Sequence, residues 1–425
     1  MFLTMLKKEC AQYLKSVIYY IFLVFLVGDF ISQMGTFEAV EKPKPGQEDY
    51  GYVKTQNKDL IMQNTLDELL WEYDINEYTT YPIGFYKRVI LDDEEQQQVK
   101  EILLHITGLT EEELKEAYEE NEEEADAFYE QAMAENQTII RGTEFLTPVV
   151  TIKEGLSFEE FSGEMEKLDD LLGGGSKYSE GNLKYTKEPA SYEQALAEYE
   201  SLIEDDKVTN AYARLFCDYV GIVLAILPIF LAVTRALRDR KAQAEQVIFM
   251  SQAGSAKIVL SRYLAAVLMV VIPVILLSCS TLMQAVYYAK SIHAEYDVFA
   301  FIKHIGFWLL PTILVTLSVG FFLTELTDSA IAILVQGVWW FVSIFMSTGD
   351  LVGNVGWNLI PRFNTVGSYG IYRQLAGQLM KNRYLYTGIA LLLIVLTVFV
   401  YNKKRKGEFV SVGTLLRNRK NKLEA

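Results

Sequence analysis

The chain has 425 residues, half of them apolar, and a formal net charge of −16, a pairing unusual for a single soluble globule in a length that leaves room for two or three domains. The charge is segregated: residues 36–210 hold 43 acidic and 15 basic residues, a balance of −28, and the rest of the chain carries +12. Three cysteines (Cys10, Cys217, Cys279) are too few for a disulfide framework, and His105, His293 and His304 form no zinc spacing.

In chain order, Phe2, Leu3, Leu6, Cys10, Tyr13 and Leu14 recur at helical spacing, with Lys7, Lys8, Gln12 and Lys15 elsewhere. That pattern predicts an amphipathic helix over residues 1–15, lying along a membrane interface with its lysines towards anionic headgroups. The first apolar run follows at 16–34. Its basic leader fits a secretory signal, but Gly28-Asp29-Phe30-Ile31-Ser32-Gln33-Met34 offers no small-x-small cleavage site, so it reads as an uncleaved anchor.

Residues 36–210 form the acidic insert, long enough for a core of its own. Lys42-Pro43-Lys44-Pro45-Gly46 reads as an extended linker. Capping boxes at Thr110-x-x-Glu113, Ser157-x-x-Glu160 and Ser191-x-x-Gln194 predict three helix starts; the first opens an acidic run to about Asn136, and the second helix ends at Gly173-Gly174-Gly175. Residues 81–91 and 137–153 are richer in β-branched and aromatic side chains and are expected as strands, giving a helix-rich mixed α/β domain. The acidic face of Glu112, Glu113, Glu116, Glu119, Glu120, Glu122, Glu123 and Glu124 reads either as a solvating surface or as a field for cationic ligands. No Asp-x-Asp-x-Asp-Gly loop supports calcium.

Five more apolar stretches follow within 211–402, near residues 215–233, 264–283, 305–324, 330–346 and 384–401. A hydrocarbon core about 30 Å thick takes roughly 20 such residues in a helix, so six spans are expected. Asp29 and Asp218 are the acids in or at these runs, and Pro228, Pro273 and Pro311 lie inside them, as lipid-embedded bundles tolerate. With the N-terminus inside, the inner segments carry 17 Lys and Arg against six in the short outer loops, which places both termini in the cytosol and 36–210 outside.

Chemistry is sparse. No G-x-x-x-x-G-K-[ST] occurs, and Gly173-Gly174-Gly175-Ser176-Lys177 has the wrong spacing. There is no G-x-S-x-G elbow, no H-E-x-x-H and no intramembrane acid pair of the kind a proton-coupled carrier uses. The connection 235–262 is charged at its start and amphipathic through Val247, Ile248, Phe249 and Met250. It suits either a partner's groove or a purely topogenic role.

The layout resembles the ABC-2 type transporter permeases that carry a large outer domain between their first two spans. The local likeness runs from Glu245 through Phe249-Met250-Ser251-Gln252-Ala253-Gly254-Ser255-Ala256-Lys257 to Arg262, with Gln246-Val247 where the family commonly has Gly-Thr, and without the usual Pro in the turn. The resemblance implies that Glu245, Val247, Ile248, Phe249, Met250, Ser251 and Gln252 couple to a separate ABC ATP-binding subunit. That partner would hold ATP and magnesium, and this chain no cofactor, metal or catalytic residue. The aromatic loop 348–383, with Trp357, Phe363, Tyr369 and Tyr372, resembles the half-inserted outer helices this family places before its last span.

The expected fold is therefore an α-helical integral membrane protein with six ABC-2-type spans, a mixed α/β extracellular domain and a basic cytosolic tail at 403–425. The expected function is a non-enzymatic exporter subunit of a bacterial-type cell membrane, moving a peptide, lipid or other amphipathic cargo. Gln336, Trp339 and Trp340 are expected along the substrate path or the seam with a second permease copy or paralogue. Membrane lipids complete the expected partners, with no nucleic acid. The alternative is a non-transporting surface scaffold resembling phage-infection proteins or secretion-apparatus components.

Overall fold

The computed structural model describes residues 1–82, 86–121, 148–345 and 351–409 and is 67% helical. Parts of the expected acidic helix (Glu122, Glu123, Glu124 onward), of the 137–153 segment, of the 348–383 loop and of the basic tail lie outside the described residues.

In chain order the helices begin with α1 (Phe2–Tyr13) and α2 (Val17–Met34). Strand β1 (Tyr52–Thr55), α3 (Lys58–Ile75), β2 (Tyr78–Thr80), β3 (Lys87–Val89), α4 (Asp93–Thr107), α5 (described over 111–121), α6 (Phe158–Leu171) and β4 (Thr186–Pro189) follow. Then come α7 (Tyr192–Glu204), α8 (Thr209–Leu224), α9 (Pro228–Lys241), α10 (Glu245–Phe249), α11 (Ser255–Ser291), α12 (Ala300–His304) and α13 (Leu310–Thr327). The chain closes with α14 (Ile331–Phe345), β5 (Val352–Asn354), β6 (Arg362–Phe363) and α15 (Tyr369–Arg405). Two compact units result: Lys44–Ala195, and Met1–Pro43 with Leu196–Ala425.

The first unit packs α3, α4 and α6 around Leu66, Leu69, Leu103, Phe161 and Leu168, all fully buried. All three capping boxes form. Thr110 and Glu113 exchange bonds of 2.8 and 3.3 Å, Ser157 and Glu160 of 3.1 and 3.2 Å, and Ser191 and Gln194 of 2.8 and 3.2 Å. A fourth box, Asp92 with Glu95, starts α4. Of the expected strands, Lys87–Val89 pairs antiparallel with Tyr78–Thr80, while residues 148–153 are irregular.

The second unit is the apolar bundle. Four of its helical segments are long and apolar enough to cross a membrane: α2, α11, the continuous run Ala300–Thr327 and α15. The bent pair α8–α9 makes a fifth if it is one span. Helix α14 is apolar but has 15 residues, about 22 Å at 1.5 Å per residue, shorter than the hydrocarbon core. By contrast α11 and α15, with 37 residues each, run to about 55 Å and outreach it. The run Ala300–Thr327 is the centre, 72% of its apolar window buried against 28% for α2. A π-helical turn at Ile305–Leu309 precedes Pro311, which has no N–H to give to a ladder. Where α13 crosses α9, a Cβ on Gly320 would lie 2.5 Å from that of Ala232, so only glycine admits this approach.

Candidate functional site

The connection between α9 and α11 is built around one arginine. Arg405, at the end of α15, donates Nε to the carbonyl of Phe249 at 2.7 Å, Nη1 to Ala253 at 2.6 Å and Nη2 to Ser251 at 2.5 Å. A five-residue helix leaves most of its carbonyls without internal partners, and the guanidinium, with five donors in a planar fork, reaches one of them, at Phe249, and two more in the turn that follows. Phe249 lies edge-on to Tyr401 at 5.5 Å, and Ile248 joins it against a small core of Ala253, Ile258, Val259 and Tyr401. The other face of α10 points away: Val247 is 67% and Met250 79% exposed, and Gln246 and Gln252 are exposed too.

Glu245 is not free in this arrangement. Arg240 reaches it at 3.2 Å, lies 3.5 Å from Glu325 and also pairs with Asp328. Lys404 joins the same acids, at 3.3 Å from Glu325 and 2.5 Å from Asp328. Beside this network Arg262 pairs with Asp239, and Arg235 holds Glu9 of α1 at 2.6 and 2.8 Å. Charges from α1, α9, α10, α11, α13 and α15 thus meet at one end of the bundle. Arg405 ties the α10 segment to α15, and Arg240 ties Glu245 to the end of α13.

Trp339 and Trp340 pack against a different apolar cluster, and Gln336 is buried on the same helix. At the α8–α9 break the ladder slips: Ile226 N–H donates to Val223 and Ile229 N–H to Ile226, which leaves the carbonyls of Ile222 and Ala225 without their usual partners. Side chains supply them. Trp340 Nε1 donates to Ile222 at 2.8 Å and Gln336 Nε2 to Ala225 at 2.6 Å, with Thr316 Oγ1 3.4 Å from the same oxygen. Trp339 packs on Tyr386 at 5.9 Å. These polar groups of α14 hold a bent helix, as broken spans require inside a bundle.

Three buried arginines went unsuspected in the sequence. Arg362 is bidentate to Asp218 at 3.0 Å through Nε and Nη2, and Phe363 N–H adds a bond to the same carboxylate at 2.6 Å. Arg214 pairs with Asp206 at 2.6 Å and sits over the Tyr372 ring at 4.5 Å. Removing one partner of such a pair leaves a bare buried charge, at a cost of about 3–5 kcal/mol. Among the described residues Arg383 has only neutral acceptors, including the carbonyl of Trp308 in the π-helical turn at 3.0 Å, Thr312 Oγ1 at 2.9 Å and Asn382 Oδ1 at 2.9 Å. Asn382 in turn donates to the carbonyls of Gly356 and Asn358 at 3.0 and 2.9 Å, so the last long helix is bolted, more than three turns from its start, to the 351–363 segment. The signal available for these residues was an arginine within or beside an apolar run, which has to find acceptors.

Among the described residues no group of three His, Cys, Asp or Glu side chains is placed to hold a metal ion. Comparison with protein-family models, with curated proteins and with solved structures returns no match.

Proposed function

We propose that the chain is the permease subunit of an ATP-driven exporter in a bacterial plasma membrane. In this reading it has six spans, with α8–α9 the bent second and α14 the short fifth. Both termini are cytosolic, residues 36–210 are extracellular, and a separate ATP-binding subunit carries ATP and magnesium.

The observation that supports it most is the build of α10. A short helix and its C-cap expose two large apolar side chains, Val247 and Met250, while three bonds from Arg405 clamp the helix's last carbonyl and the turn after it to α15. Exposed apolar anchors on a helix suit insertion into a partner's groove. The clamp makes α10 a lever: closure of the ATPases moves it, and α15 and α13 follow as rigid bodies. On α14, the exposed Leu334, Val335, Val338 and Val342 form the face that a second copy or paralogue would cover, while Gln336 and Trp340 keep the adjoining break in shape.

Purification of the full chain in mild detergent, with mass spectrometry of what stays bound, tests the proposal. A stoichiometric ATP-binding subunit is expected. Its absence across detergents and with trapped nucleotide would overturn the reading in favour of a surface scaffold.

A further inference from the structure

A cavity of about 260 Å³ lies between the end of α1 and the basic end of α9, lined among others by Tyr13, Lys15, Ser16, Thr234, Arg238 and Lys241. A water's share of the liquid is about 30 Å³, so the space takes a group far larger than one solvent molecule.

Unbalanced charge says what kind of group. Arg235, also on the wall, is neutralised by Glu9 and Asp239, and Asp239 is shared with Arg262. Lys15, Arg238 and Lys241 have no carboxylate within 4 Å among the described residues, and Arg238 spends one nitrogen on Gln12 Oε1 at 3.3 Å. Three cations around one cavity fit an anion with several oxygens.

Its position identifies the source. Ser16 immediately precedes α2, whose 18 mostly apolar residues measure about 27 Å and nearly fill a hydrocarbon core, so the cavity sits at headgroup depth. Leu14 and Val17, flanking Lys15 and Ser16, are 51% and 74% exposed apolar side chains where acyl chains would lie. Basic pockets between membrane helices are suited to anionic headgroups. We infer that this cavity binds the phosphodiester of an anionic phospholipid, which fastens α1 to α9 across the membrane interface. The inference needs only the membrane reading, so failure of the transport proposal leaves it standing.

The test is native mass spectrometry of the delipidated full chain with phosphatidylglycerol, phosphatidylcholine or inorganic phosphate added separately. Wild type should retain one phosphatidylglycerol in preference to phosphatidylcholine. Arg238→Gln combined with Lys241→Gln should lose about 30-fold in retention, from two charges near the headgroup plane. Lys257→Gln, on α11 and not on the cavity wall, should change nothing. Unchanged retention in the double variant overturns the assignment. Displacement of the lipid by millimolar inorganic phosphate also overturns it, in favour of a soluble anion.

Discussion

Arg405→Met is the perturbation that isolates the α10 lever. It keeps the aliphatic stem but removes three donors, at 2.7, 2.6 and 2.5 Å from the carbonyls of Phe249, Ala253 and Ser251. Bonds from a charged donor are worth about 1.5–3 kcal/mol each in a buried setting. Arg405 is half-buried and the three bonds are not additive, so about 3 kcal/mol for the set is the appropriate scale. The segment is short, carries its remaining packing through Ile248 and Phe249, and would open locally without unfolding the bundle. A loss of about 3 kcal/mol raises the open population roughly 100-fold. Amide hydrogen exchange of the full chain should therefore accelerate by about two orders of magnitude over residues 246–254 and hardly at all in α13. Unchanged exchange in the loop would refute the clamp. Uniform acceleration across the bundle would refute its local character.

Glu245→Gln should barely alter thermal stability, since Arg240 keeps Glu325 and Asp328, yet should lower ATPase stimulation in the assembled complex; wild-type stimulation would remove Glu245 from the coupling element. Gly320→Ala should lower the melting temperature in detergent by forcing α9 and α13 apart, at about 1–3 kcal/mol, while Gly337→Ala, whose added methyl would meet no heavy atom within 4 Å, should be neutral or mildly stabilising. Bonds to the capping N–H and hydroxyl of Thr110 and Ser157 hold the Glu113 and Glu160 carboxyls below their usual range. Depressed folded values mean that this stabilisation is full above the unfolded value of about 4.3 and is lost as pH falls through the folded ones. Circular dichroism of the full chain should show a smaller acid-induced loss of helix in a Glu113→Gln, Glu160→Gln double variant than in wild type.

What was legible in the sequence is what local physics decides. The bounds of α2 coincide with an apolar run that ends at polar residues, and the three capping boxes depend on side chains three residues apart. The break at Pro228 was visible as a proline within an apolar stretch, but not its consequence: the partners of the freed carbonyls come from Gln336 and Trp340, more than a hundred residues away. The same distance hid Arg405. As one basic residue in a run of four it reads as topogenic charge, and only the folded bundle brings its fork to α10. Asp218 was noticed as an acid at a span entry, whereas its partner Arg362 lay in an aromatic loop with no pattern to tie the two together.

The central claim, that the exposed face of α10 receives an ATP-binding subunit, is tested most directly by a photo-cross-linking amino acid placed at Met250 in the full chain and activated in intact cells. The account predicts one dominant adduct, containing an ATP-binding subunit and lost when the cross-linker is moved to the buried Ile258. Adducts with lipid alone, or none at Met250, would contradict it.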